Sequence, residues 1–400
     1  MRDRSSEVQR LAELLVGFGA NLQPGQVVGV TAYLGMEDVT RAIAREAYRR
    51  GAKYVDVLWW DQLVKRARLE HADPGTLEFV PPWLGQRLQW LSDERGARIS
   101  LSGAAVSAFD GVDPSRLGRD LMPYVAEVPK IVNERTTNWT AGPCPNLGWA
   151  RRVHPDLEPE AALDKLWEEV VHVLRLDEDD PVRAWRERME AIVASADRLT
   201  ERRFDAIHLR GAGTDLTVGL LRSSKWLGAD FETVEGLTHY PNLPSEEIFT
   251  TPDPARVDGY VTSTMPLEMY GSFIDGIRIE FEAGRAVRAD AEVGAEALRA
   301  ALARDDGASR LGEIALVDRE GRIGPLGTVF YDTLLDENAA SHIALGNAYS
   351  FPVEDPAERE RANVSSIHVD FMIGSNEMGV DGITPDGDRV PVLRGDSWQV

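Results

Sequence analysis

Hydrophobic positions recur at helical spacing at the start of the chain (Val8, Leu11, Leu14, Leu15, Phe18), and the turn-forming run from Asn21 to Gly25 closes that helix. An apolar run from Gln26 to Ala32 predicts a buried strand. It is followed by an amphipathic helix over 37–50 that stops at Gly51, and by a second strand over Tyr54–Trp60. Strand, helix, strand within so short a span is a βαβ unit and implies a parallel sheet. The pattern from Phe79 to Gly96 predicts a helix interrupted at Pro81-Pro82, and Ala97–Ser102 predicts a third strand. From Glu158 to Leu199 the period is helical again, with a break around Asp177–Pro181; His172 lies among its apolar positions as a hydrogen-bonded structural histidine.

Beyond Arg202 the period changes from helical to alternating. Phe204–Arg210, Thr214–Val218 and Ile274–Glu282 read as half-buried strands. Glu282-Ala-Gly-Arg285 reads as a hairpin turn into 286–291, and Glu292–Leu302 as a helix. The pattern predicts an α/β domain over 1–202, with a parallel, Rossmann-like sheet, and an α+β domain over 203–400 with a mainly antiparallel sheet. The first has the outline of a nucleotide-binding sheet without its chemistry. No G-x-G-x-x-G follows the first strand and no Walker Gly-Lys-Ser/Thr is present, so neither NAD nor ATP is expected, and this domain reads as scaffold or substrate cover.

Composition narrows the partners. With 66 acidic against 44 basic residues the formal charge is −22, which argues against nucleic acid or an anionic membrane. No stretch reaches the roughly 18 apolar residues of a membrane span. The charged N-terminus leads into a helical pattern with no signal-like apolar region. Cys144 is the one cysteine, so no intrachain disulfide can form and a cytoplasmic location is expected; Ala141–Asn146 around it reads as a turn.

The candidate chemistry lies in the second half. Ser366–Ile373 alternates as a strand, placing His368 and Asp370 on one face and Ile367, Val369 and Phe371 on the other. Glu246 and Glu247, between Pro244 and Pro252, form a poor helix. An extended chain there would aim one at a site and the other at solvent. Glu313 follows a glycine at the start of the apolar run Ile314–Val317. His342 sits among small and apolar residues, which predicts burial, and a buried imidazole needs partners. Two imidazoles and three or more carboxylates suit two divalent ions sharing a bridging group, with Zn, Co or Mn favoured by ligand type. No G-x-S-x-G or H-E-x-x-H competes with that reading.

The ordered segments N-L-P-S-E-E-I-F-T-T-P, R-L-G-E-I-A-L-V, D-E-N-A-A-S-H-I-A-L-G-N-A-Y and S-I-H-V-D-F-M-I-G-S resemble the M29 family of metallo-aminopeptidases, the thermophilic aminopeptidase T type. The resemblance extends to Gly213–Leu216 and Asp381-Gly-Ile383. It implies a two-metal exopeptidase that removes N-terminal residues from peptides through a metal-activated water, working as a homodimer. The implied metal ligands are one of Glu246 and Glu247 (Glu247 by segment spacing), Glu313, His342, His368 and Asp370. Glu313 is general base or bridging ligand, and Tyr349 is the active-site tyrosine. Asp215 and Glu246 are candidates for meeting the substrate's α-amine. A competing reading is a non-haem Fe(II) ring-cleaving dioxygenase of the 2,5-dihydroxypyridine type, with His342, His368 and Asp370 as its triad. In a single-iron site Glu247 and Glu313 would be surplus.

Overall fold

The computed structural model describes residues 3–400 other than 104, 105, 110, 121, 124, 126, 229, 270 and 271. The chain divides into two compact units, one of residues 1–188 with 230–245, the other of 189–229 with 246–400.

The first unit holds a four-stranded parallel sheet in the order Tyr54–Trp60, Val27–Tyr33, Ala97–Ser102, Asn138–Pro143. Its first three strands fall where the apolar runs place them. Helix Glu37–Arg49 begins with Glu37 and Asp38 and ends with Arg49, matching charge to the helix dipole at both ends. Two expectations are corrected. Pro81-Pro82 does not interrupt a helix: the helix is Pro82–Asp93, and Pro82 opens it, where a missing N–H costs nothing. Ala141–Asn146 is not simply a turn. Ala141–Pro143 completes the fourth strand, whose Asn, Gly and Pro disguise it. Cys144 follows at once and is buried, which pushes its thiol pKa far up and leaves it inert. His172 is hydrogen-bonded, but to Asp177 at the surface (2.9 Å) rather than in the core.

Residues 230–245 return to this unit. Tyr240 stacks on Phe18 with ring centroids 4.1 Å apart, and Asn242 bridges to Ala141 beside the fourth strand.

The second unit contains an eight-stranded antiparallel sheet and a four-stranded one. The eight-stranded sheet includes the predicted strands Ala206–Gly211 and Thr214–Leu220 and the predicted hairpin Arg278–Glu282 to Arg285–Asp290. Ala283 and Gly284 both take positive φ at its tip. A Cβ on Gly284 would lie 2.0 Å from Pro254 O, so only glycine fits there. The four-stranded sheet has the order His368–Met372, His342–Gly346, Leu311–Val317, Glu247–Thr250, every pair antiparallel. One set of its side chains (Ile248, Ile314, Leu316, Ile343, Leu345, Val369, Phe371) is buried and apolar. Among the described residues no helix is long and apolar enough to cross a membrane.

Candidate metal centre

Directly opposed residues of an antiparallel pair share a face. Val317 opposes Glu247, Ala315 opposes His342, Gly346 opposes His368, and Glu313, Ala344 and Asp370 form one row across three strands. Alternation along each strand then brings Glu247, Glu313, His342, His368 and Asp370 to a single face. Positions between them are taken by Ala315, Ala344 and Gly346, whose small side chains leave the longer ones room to converge. Gly346 is required: its φ is +98°, and a Cβ would stand 2.2 Å from Ile367 O.

The side chains fall into two groups whose candidate ligand atoms lie within 4.8 Å of one another. One is Glu247, Glu313 and His342; the other is Glu313, His368 and Asp370. Glu313 belongs to both, and turns Oε1 toward His342 Nε2 (3.9 Å) and Oε2 toward His368 Nε2 (3.8 Å). His368 Nε2 also lies 3.3 Å from Asp370 Oδ1. The His368 side chain is 33% exposed whereas that of His342 is 1% exposed, so the cluster opens on the His368 side.

Both imidazoles are oriented from behind. His342 Nδ1 donates to Ala340 O (3.2 Å) and His368 Nδ1 donates to Asn347 O (2.7 Å). In the neutral ring each Nε2 then presents a lone pair to the carboxylates, as metal-binding histidines do. Glu247 Oε2 stands 2.9 Å from His342 Nε2, yet it is buried with no well-formed hydrogen bond among the described residues. Two facing lone pairs at that distance repel unless a proton or a cation lies between them.

The titration behaviour says the same. Burial would lower both imidazoles, but the charge of Glu247 lifts His342 to about 9 and that of Asp370 lifts His368 to about 10. Burial, then the charge of Glu247, pushes Glu313 up to about 8. Burial would also raise Asp370, but His368 holds it below the ordinary carboxylate range. Carboxylates gathered in a buried site are tolerable only with protons or cations among them. The residues therefore fit divalent metal.

Several expectations change at this site. Glu246 does not meet solvent: it is 2% exposed and packs beside Gly321, while its neighbour Glu247 enters the cluster. Glu313, just ahead of the apolar run, is third in the strand Leu311–Val317, with both faces covered. Asp215 lies on the eight-stranded sheet, bonded to His208 (2.8 Å), and joins neither ligand group. Tyr349 comes close, its ring centroid 6.1 Å from that of His368.

One carboxylate escaped the sequence reading. Glu337 is buried, and its carboxyl is pushed well above the ordinary range, first by burial and then by the charges of Asp370, Glu247 and Glu313. Its signal was the polar run Asp336-Glu337-Asn338 set among residues otherwise suited to burial. The iron triad is not favoured, because His342 and His368 fall in different groups and a single ion would have to span both.

Comparison with known proteins agrees with the geometry. A family profile described as thermophilic metalloprotease (M29) matches residues 4–398. Aminopeptidase T of Thermus aquaticus is 41% identical over 99% of both chains, and aminopeptidase T of Thermus thermophilus is 42% identical over 98% of both. Aminopeptidase PepS of Streptococcus thermophilus is 36% identical over 98% of both. A solved structure titled wild-type AmpT from Thermus thermophilus superposes with a TM-score of 0.90 at 41% identity, covering all of both chains.

Proposed function

The chain belongs to the M29 family of thermophilic metalloproteases and is a metallo-aminopeptidase, and we propose that it removes N-terminal residues from peptides with two divalent cations held by the shared-carboxylate cluster. The observation that carries this reading is Glu313, whose two oxygens serve two separate ligand groups. Glu247, Glu313 and His342 would hold one cation, and Glu313, His368 and Asp370 the other. Zn, Co or Mn suit this mixture of imidazole and carboxylate. When bound, such ions acidify water and polarise a carbonyl.

The protein's own groups do the rest. Glu313 would be engaged in holding the cations, and Glu337 is then the carboxylate that accepts the proton of the attacking water and passes it to the leaving amine. The Tyr349 hydroxyl, kept protonated by burial, donates to the oxyanion that forms on the former carbonyl oxygen. The free α-amine of the substrate is attracted by the four carboxylates. An acetylated amine offers neither charge nor lone pair and leaves its buried partner unsatisfied, a loss of roughly 1–3 kcal/mol. Cleavage of a good peptide substrate therefore stops when its N-terminus is acetylated. Equal turnover of free and acetylated peptides, measured by chromatography, would refute recognition of the amine.

Cation loading follows pH in a defined direction. In the metal-free protein His342, His368 and Glu313 hold protons at neutrality, since their pKa values are raised above it. Cations displace those protons, so affinity rises as pH climbs from 6 toward 8, by about one decade per pH unit for each proton released. Calorimetric titration in two buffers of different ionisation enthalpy counts them. Affinity that is flat between pH 6 and 8 would contradict the assignment of these three groups.

A further inference from the structure

Asn338 is 1% exposed and makes no direct contribution to either ligand group. Its side chain nonetheless meets the chain just ahead of the Glu247 strand. Glu247 is the first residue of its strand, paired with Val317 at the strand's far end, so the Glu246 N–H lies outside the ladder. Asn338 Oδ1 accepts that N–H at 2.6 Å. The amide is held the right way round by its other end, where Nδ2 donates to Leu334 O at 2.9 Å. A side chain with an acceptor and a donor is needed at once, and at this reach asparagine supplies both.

The next residues continue the support. Ala340 O receives His342 Nδ1, and Ser341 Oγ accepts the Val317 N–H at 3.1 Å, opposite Glu247. Asn338, Ala340 O and Ser341 Oγ thus brace Glu247, its pairing partner and His342, while Ser341 O accepts from Ile373 N–H and Gly374 N–H just beyond the His368–Met372 strand. His368 takes its backbone partner elsewhere, from Asn347.

We infer that Asn338 is a positioning residue for one of the two cation sites, that of Glu247, Glu313 and His342, and not for the other. This rests on the two-cation reading above. Its effect falls on that site, because the Asn338 side chain bonds to Glu246 N–H, Leu334 O and, at 3.5 Å, Glu337 Oε1, with no bond among the described residues to the His368–Met372 strand.

The test is calorimetric and spectroscopic titration of metal-free protein with Co²⁺, for the parent and three variants. The parent shows two binding events. Asn338→Ala weakens one of them by about 10–100-fold, the loss expected when a partner orienting a ligand is removed, and leaves the other unchanged. Asn338→Ser does the same, since its hydroxyl falls short of Glu246 N; it carries the test if the alanine variant does not fold. Asn338→Asp keeps the acceptor for Glu246 N–H but loses the donor to Leu334 O, so it too weakens that event and not the other. Unchanged affinities in the alanine or serine variant overturn the inference, as does equal weakening of both events, which is what a general loosening would produce. An aspartate variant that weakens both events equally overturns it too. A parent that binds one equivalent or none sinks the two-cation reading instead, and that result is read on the parent alone.

Discussion

Glu313→Gln leaves a folded protein with one bound cation or none and with activity reduced by more than about 100-fold, since even partners one layer behind a metal ligand are worth roughly 10–100-fold. Glu313 lends an oxygen to each ligand group, so its loss weakens both together. The size is conserved and the fold should not suffer. Burial and the charge of Glu247 raise Glu313 to about 8, so the parent carboxyl in metal-free protein is already protonated at neutral pH, and glutamine mimics that form. A carboxyl whose folded pKa lies above its unfolded value binds more protons folded than unfolded between the two values. Its contribution to stability is therefore lost as pH rises through that window. Metal-free Glu313→Gln should then melt at or above the parent temperature at pH 7. Metal content by emission spectrometry, melting temperature and kcat decide the matter, and two full equivalents bound to the variant would remove Glu313 from the bridge. Glu337→Gln is the companion: activity falls while both cations stay. Loss of a cation there would make Glu337 a ligand instead of the proton acceptor.

The parts of this site that could be read from sequence are those that lie on strands. A two-residue period names the face of each residue without reference to anything distant, which is why His368 and Asp370 paired correctly from an octapeptide. The small residues Ala315, Ala344 and Gly346 that make room for the cluster belong to the same pattern and were passed over because smallness carries no chemical label. Glu337 and Asn338 were harder. They sit on the short helical turn Glu337–Ala339, directly after the turn Thr333–Asp336, where no period is long enough to reveal which side is buried. Glu246 and Glu247 were misjudged in part because adjacent extended residues point oppositely, and one was assigned to solvent. In the fold both directions are interior. The same limit applies to the first unit. Continuous apolar runs announced three parallel strands, while Asn138–Pro143 is recognisable only through its neighbour Ala97–Ser102, with which it pairs along its whole length. The return of residues 230–245 to that unit depends on contacts such as Phe18 with Tyr240, more than 200 positions apart, and no local pattern encodes them.

Tyr349→Phe separates chemistry from cation binding. The ring of Tyr349 packs among Phe351 (5.3 Å between centroids), Phe249 (5.9 Å) and His368 (6.1 Å), and phenylalanine preserves all of that surface. The tyrosine backbone is held independently, its carbonyl accepting from Thr251 Oγ1 at 2.6 Å. What the substitution deletes is one hydroxyl. Burial, followed by the charges of Glu313 and Asp370, drives the phenol pKa upward, so the hydroxyl is a donor at every working pH and is never a competing anion. A donor aimed at charge that develops only in the transition state affects kcat and leaves ground-state binding nearly untouched. We therefore expect kcat to fall by about 10²–10³-fold, as on loss of a single oxyanion donor, with KM, melting temperature and two bound cations close to parent. A tyrosine that merely satisfies a buried neighbour would behave the opposite way, losing about 1 kcal/mol of stability and keeping its turnover. Full activity with a lowered melting point would strike Tyr349 from the reaction. A fall in kcat accompanied by loss of a cation would place the hydroxyl among the ligands.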